Sequence, residues 1–389
     1  MTTAAPAEPS TLQLPTSPRR SRREEFWRLF RRNRMAVTGL AVFALFFATA
    51  LAGVVLTSGS RPAIDPSQVR LQEKLRPPLS RPDATAVAPE QMPAFGLYVC
   101  GTDDLGRDVF ARMLQGAWVS LTVGFVAVGI SVLIGIFMGG IAGYYGNRRL
   151  RWEPLAVASL TVAGVALAAA GRSVAGGAAL LAGLAWLLLA LTPWGAVRSR
   201  DRCPAALRFL QQGALSVDTL IMRFVDIMLC FPSFFLILTV VALLPPSIYT
   251  IMVVIGLTSW EGTARFVRAE FLSLREQDFV AAARALGVGS LRIIFRHIMP
   301  NAIAPVLVSA TLGIASAILT EAGLSFLGFG VPPPNATWGN ILSDGKRFIF
   351  DAPWLTFIPG AAILLVVLSF NLFGEGLRDA LNPKLRERR

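Results

Sequence analysis

The sequence predicts an all-α, polytopic integral membrane protein, and three observations carry that prediction. The 389 residues are 54% apolar and only 16% charged, against about 45–50% and about 25% in soluble domains. Several uncharged runs are long enough to cross about 30 Å of hydrocarbon. Helices are the spanning element, because backbone groups in lipid must pair within their own segment. The third observation is charge placement: the excess of +13 gathers on the loops of one side, as membrane topology requires.

The first element is a polar, Pro/Ser/Thr/Ala-rich tail over 1–18, expected to be disordered. Arg19 to Arg34 follows with eight arginines against Glu24 and Glu25, a net of +6. Phe26, Trp27 and Phe30 fall on one face there, the pattern of an interfacial helix with arginines toward anionic head groups. Residues 1–34 are thus read as a cytoplasmic tail and interfacial helix, and 35–56 as the first transmembrane helix. The 22-residue apolar run is too long for a cleaved signal peptide, whose core is about 7–15 residues. A polar, Pro-rich loop over 57–113 comes next. The remaining spans are expected at Trp118–Tyr145, Pro154–Gly171, Val174–Val197, Ile221–Leu244, Ile248–Trp260, Ala302–Phe329 and Trp354–Phe373, eight in all with the first. The run from Ile248 is short unless it continues into Glu261–Arg265.

With the N-terminus inside, Asn147–Glu153, Ala196–Gln212, Glu261–Pro300 and Gly376–Arg389 all lie inside and carry +2, +3, +2 and +3. Thr57–Met113 and Gly330–Pro353 lie outside and sum to zero. The charge is therefore a topology signal and excludes a nucleic-acid partner in favour of membrane lipid. A multi-pass protein with both termini cytoplasmic is expected.

The same composition excludes several chemistries. His297 is the only histidine, and Cys100, Cys203 and Cys230 fall outside, inside and within the membrane respectively, so they form no disulfide framework or metal spacing. No Gly-x-x-x-x-Gly-Lys-Ser/Thr loop occurs. Gly135–Gly143 is Gly-rich but apolar, a poor phosphate site. The chain is expected to hold no cofactor or metal and to have no catalytic residues.

The longest inside loop, 261–300, reads as two short helices broken at Gly287-Val288-Gly289, with Ser290 as N-cap of the second and Pro300 ending it. Phe279, Ala282, Ala283 and Leu286 share a small, apolar face suited to another protein's groove. The stretch Asp278–Asn301 resembles the coupling loop of ABC-importer permeases. Gly101-Thr102-Asp103-Asp104-Leu105-Gly106-Arg107-Asp108-Val109-Phe110, with Gly116, Ser120 and Leu121, resembles the signature of the C-type permease subunit of dipeptide and oligopeptide transporters. So does Glu321-Ala322-Gly323-Leu324-Ser325-Phe326-Leu327-Gly328-Phe329-Gly330-Val331-Pro332-Pro333-Pro334, ending at Trp338-Gly339. With Phe231-Pro232, the resemblance covers 25–146 and 214–385.

This resemblance implies a type I (MetI-like) ABC-importer permease core of six helices, over 114–146 and 214–375, with a basic cytoplasmic tail at 376–389. It implies ATPase-coupling roles for Ala282, Ala283, Gly287, Ser290, His297 and Pro300. It also implies a bacterial inner-membrane location and three partners: a second permease of the same fold, two ATPase subunits that bind ATP and Mg, and an extracytoplasmic substrate-binding protein. The implied cargo is a dipeptide or oligopeptide, though some members of the group carry nickel chelates or glycosides.

Two departures stand out. The family's glutamate is Ala281 here, and 147–213 is inserted, carrying a hairpin at 154–197 between basic flanks. The hairpin reads as a lipid-facing accessory, with partner binding or regulation as the alternative. Asp218, Arg223 and Asp226 stand close enough in sequence to pair with one another, and Asp226 and Glu321 are the deepest ionisable groups, hence candidate functional residues. A helix-to-helix hydrogen bond is the plainer role for both. A stand-alone secondary transporter or channel is the rival class, but no internal repeat is evident.

Overall fold

A computed structural model describes residues 22–381 except 60–61, 84, 86, 89–90, 147–148 and 151–214. The tail over 1–18, the hairpin expected at 154–197 and the last eight residues lie outside the described residues.

The described residues are mostly helical, apart from turns and irregular chain over 58–108. In chain order, α1 is Arg22–Arg32, α2 Arg34–Thr57 and α3 Val109–Tyr145. Then α4 is Val217–Cys230, α5 Ser233–Leu243, α6 Ile248–Thr258 and α7 Glu261–Arg275. The coupling stretch supplies α8, Asp278–Ala285, and α9, Ser290–Ile293. The last three are α10, Met299–Phe326, α11, Trp338–Gly345, and α12, Trp354–Leu381. One two-residue ladder pairs β1, Arg149–Leu150, with β2, Leu215–Ser216, antiparallel. The chain therefore leaves at Leu150 and returns at Leu215 side by side, so 151–214 begins and ends at one place.

The central element is α3, about 55 Å long at 1.5 Å per residue. Helices α2, α4, α6, α7, α10 and α11 all pack on it. Small residues make the close approach possible, since lipid offers no hydrophobic drive for helix association. Gly135, Gly139 and Gly143 recur every four residues and form one seam, against which Thr263, Ala264 with Val267, and Phe271 of α7 are seated. A Cβ at Gly143 would come 2.6 Å from Phe271. Along the other half of α3, Gly256 of α6 rests on Ala127 and Ile130.

These contacts revise the expected span at Ile248–Trp260. Helices α6 and α7 run along α3 one after the other, broken only at Ser259-Trp260, and the Ser131 hydroxyl donates to the Ser259 carbonyl there (2.8 Å). The element thus extends well beyond Trp260. The expected span Ile221–Leu244 also differs: α4 and α5 meet at 81°, because Pro232 cannot donate a backbone hydrogen bond. Among the described residues four helices are long and apolar enough to cross a membrane, 34–57, 109–145, the continuous 290–326 and 354–381, and the bent pair α4–α5 makes a fifth if it forms one span.

The aromatic face of α1 is not left for lipid. Phe30 is buried with Ala36 and Ala380, Phe26 and Phe373 pack around it, and only Trp27 of the expected trio is exposed, beneath the Arg31 guanidinium. Tertiary packing on α2 and α12 has taken most of the stripe that looked interfacial.

Candidate functional site

Three places concentrate the polar and exposed groups of the sequence motifs. The first is at the Asp108 end of α3, where the signature Gly101–Phe110 folds into a knot. Gly101 and Gly106 both have positive φ, +79° and +70°, and a Cβ on either would run into the backbone of Arg76 or Arg70. The Thr102 hydroxyl donates to the Glu73 carbonyl (2.5 Å) and accepts from the Arg76 amide (2.8 Å). Asp103 Oδ1 accepts the amides of Leu105 and Arg107, while Oδ2 receives Arg107 Nε (2.7 Å) and Arg112 Nη1 (2.6 Å). Arg112 Nη2 continues to Asp344 on α11 (2.9 Å). Asp108 caps α3 by accepting the Phe110 amide, while burial pushes its carboxyl above the usual range. Burial likewise pushes the Cys100 thiol up to about 11, with the charge of Asp108 adding to it.

The second signature closes over the same end. Trp338 is buried, donating its ring N–H to the Met113 carbonyl (3.1 Å) and its amide to the Ser120 hydroxyl (3.3 Å). Gly116 lies under the Trp338 ring. Glu321 is fully buried: Ser325 Oγ donates to Oε1 (2.7 Å) and Ser120 Oγ approaches Oε2 at 3.4 Å. The shorter contact is within α10, four residues apart, and the longer one reaches across to α3.

The coupling stretch lies at the Tyr145 end. Helix α8 ends in a Schellman cap: the Val288 amide donates to the Ala283 carbonyl and the Gly287 amide to that of Arg284, with Gly287 at φ +73°. Ala283 does not belong to the outward face. It is 5% exposed and sits with Val280 in a cluster of Val267, Phe271, Ile293, Ile298, Ala302 and Val306. The outward face is Phe279, Ala282 and Leu286, the last 83% exposed, continued by Leu291 and Phe295.

Two further expectations are corrected here. Gly289, not Ser290, precedes the first turn of α9, and no side chain caps it. Pro300 does not end the helix. A π turn at Ile294–Ile298 joins α9 to α10, so 290–326 is continuous and Pro300 lies within it, where its missing N–H is accommodated by the irregular turn. His297 is half-buried in that turn, and its carbonyl accepts Asn301 Nδ2 (2.7 Å). The stretch is tied to α3 as well. Arg275 Nη1 donates to the Gly143 and Tyr144 carbonyls at 3.3 Å each, and the Arg284 guanidinium stacks 5.6 Å from the Tyr144 ring centre.

The third place is on α4 and α7. Asp218 pairs with Arg268 through both guanidinium nitrogens facing it, and Asp226 pairs with Arg265 (2.5 Å). Arg223 stays 3.8 Å from Asp226. Local pairing among Asp218, Arg223 and Asp226 therefore accounts for little; the partners missed from sequence are Arg265 and Arg268. Asp226 is also not enclosed, being 44% exposed. No group of residues suited to hold a metal occurs among the described residues.

Residues 214–387 match the family of binding-protein-dependent transport system inner membrane components, and 21–78 match the N-terminal transmembrane domain of oligopeptide transport permease C. A dipeptide transport system permease protein DppC from Alkalihalophilus pseudofirmus is 36% identical over 94% of this chain and 90% of its own. The chain belongs to this permease family. Other relatives are a di/tripeptide permease DppC of Pseudomonas aeruginosa, 32% identical over 98% of this chain and 97% of its own, and the oligopeptide permease OppC of Bacillus subtilis, 30% identical over 92% and 88%. The permease is thus a multi-pass helical protein of the bacterial inner membrane, of the MetI-like class. A stand-alone secondary transporter is not favoured by these relatives. Both C-type signatures meet at one end of α3 and the coupling stretch at the other, so the motifs quoted from sequence mark the two ends of one central helix.

Proposed function

We propose that this permease is one of two non-identical membrane subunits of an ATP-driven peptide importer, and that it forms half of the translocation route. Its partners are a second permease of the same fold, two cytosolic ATPase subunits that bind ATP and Mg, and an extracytoplasmic substrate-binding protein. The chain itself hydrolyses nothing. Both termini and the coupling stretch, from the end of α7 to Pro300, are cytoplasmic, and the 57–113 loop is extracytoplasmic.

The observation that carries this reading is the coupling stretch. Helix α8 is anchored on one side by Val280 and Ala283 and presents Phe279, Ala282 and Leu286 outward. An anchored helix with an exposed apolar face is a docking knob. It packs on the continuous 290–326 helix through Val280 and Ala283, across the Gly287–Gly289 turn, and is tied to α3 through Arg275 and Arg284. Closure of the ATPases would press on α8 and shift an equilibrium between inward- and outward-open arrangements, which requires different contacts in the two states. Within the set named from sequence, Ala282 touches the ATPase, Ala283 holds α8 to the core, and Gly287 makes the turn. Ser290, His297 and Pro300 shape the joint to α10.

Co-purification of the chain with ATPase subunits and the second permease tests the reading, together with ATP-dependent uptake of a peptide delivered by the binding protein. A chain that transports peptide alone, without ATPases, overturns it.

A further inference from the structure

Three charged side chains stand on one outward stripe where α4, uncharged apart from Asp218, Arg223 and Asp226, meets the more polar α7. The side chain of Arg223 is 77% exposed, that of Asp226 44% and that of Arg265 50%. Phe224, Ile227 and Phe231 around them are each about half exposed. Asp226 lies nine residues into α4, about 13 Å along it. Arg265 follows Ala264, whose carbonyl rests on Gly139, six residues and about 9 Å short of the Tyr145 end of α3. The group therefore lies about 9–13 Å in from the Tyr145 end of the bundle, on its exposed surface.

Lipid is a poor neighbour for such a stripe. Each charge in a spanning helix costs about 2.5–3.5 kcal/mol on insertion scales and is found facing a bundle interior or a water-filled cavity. A second observation points the same way independently. One turn beyond Asp226, the 81° break between α4 and α5 leaves Phe231 and Pro232 exposed together with Cys230. Irregular backbone at membrane depth is tolerated where it is buried in protein or lines water. By contrast, the Asp218–Arg268 pair nearer the helix end is more enclosed, 21% and 32% exposed, and ties α4 to α7.

We propose that the stripe Arg223–Asp226–Cys230 of α4, with Arg265 of α7, lines the water-filled route and meets the charged ends of a peptide. The inference rests on the peptide-importer reading above. A free peptide carries an ammonium and a carboxylate, the charges complementary to Asp226 and to the two arginines. With no cargo the pair satisfies itself at 2.5 Å; with cargo present the partners exchange, so no charge is left bare at either stage. Its exposure keeps the pair weak enough to exchange.

The test uses the assembled complex in inside-out vesicles, with the native cysteines replaced. Arg223→Cys should react with a membrane-impermeant anionic thiosulfonate without nucleotide, and several-fold more slowly after trapping with ATP and vanadate. No reaction in either state, as on a lipid-facing surface, or reaction that trapping leaves unchanged, overturns the proposal. In parallel, Arg265→Gln should lower uptake of a free-acid peptide by about tenfold, the size of one charged hydrogen bond, relative to its C-terminal amide. A merely structural role lowers both alike and leaves the ratio unchanged, which also overturns it. Failure of the wild type to import either peptide, with nucleotide-sensitive labelling intact, overturns the peptide reading and the ligand named here, while the stripe would still be shown to face water.

Discussion

Asp103 and Arg112 form the ion pair that ties the 57–113 loop to the central helix. Oδ2 and Nη1 are 2.6 Å apart, and the side chains are 0% and 5% exposed. Arg112 reaches on to Asp344, so one guanidinium joins the loop, α3 and α11.

Asp103→Asn should destabilise the permease by about 3 kcal/mol, the order expected when one member of a buried ion pair is removed. Asparagine keeps the Oδ1 contacts to the Leu105 and Arg107 amides, so the loss reports the missing charge. Thermal unfolding in detergent measures it, and an unchanged midpoint would show that Asp344 alone satisfies Arg112.

Glu321 has hydroxyl partners, Ser325, Thr337 and Ser120, and none of these is a cation. Glu321→Gln keeps the acceptor and the volume and should assemble normally. Glu321→Ala leaves a cavity and strands two hydroxyls, a cost of about 2–4 kcal/mol. Comparable yields of folded protein for both variants would mean that the network does not hold α10 to α3.

Cys100 should resist alkylation. The reactive species is the thiolate, and a thiol pushed up to about 11 holds about 300-fold less thiolate at neutral pH than a free cysteine near 8.5. Reactivity should climb with pH and still be rising above pH 9. Rapid labelling at pH 7 from outside would show that the loop opens in solution.

How far these sites could be read from sequence depends on how far apart the partners are. The Gly287 break, the small-residue seam on α3 and the burial of Glu321 all follow local rules of spacing and composition. Arg265 and Arg268 were missed because Asp226 and Asp218 lie 39 and 50 residues away from them; pairs three or four residues apart are visible in sequence, and distant ones are not. Ala283 was placed outward because period 3.6 groups it with Ala282 and Leu286, but periodicity shows which residues share a face and not what that face meets. Pro300 obeyed the rule for a helix end only until the π turn relieved it.

The β1–β2 ladder makes 151–214 a removable unit. Arg149 pairs with Ser216 and Leu150 with Leu215, so a two-residue Asn-Gly turn can close the ladder after deletion. The shortened permease should insert and assemble with its partners, with modestly lower transport. Complete loss of the ATPases on purification would assign the deleted segment to the complex interface.

The coupling face gives the sharpest contrast, because of two adjacent alanines one is exposed and the other buried. Ala282→Asp places a charge on the exposed face and should leave folding intact, yet abolish ATPase docking by burying an unpaired charge at several kcal/mol. Ala283→Asp should instead unfold the stretch, because Ala283 is 5% exposed among Val267, Phe271 and Ile298. Gly287→Val meets no neighbouring atom, since nothing lies within 4 Å of its Cβ position, but it forces a branched residue to φ +73°. Left-handed backbone costs about 1–2 kcal/mol for an ordinary residue and more for a branched one, so the turn should loosen and uncouple transport while the spans stay inserted. Ala281 is exposed, and Ala281→Glu should be tolerated. Membrane insertion, retention of the ATPases on purification and substrate-stimulated ATP hydrolysis separate the four outcomes. Wild-type hydrolysis in both Ala282→Asp and Gly287→Val would move the docking surface away from α8.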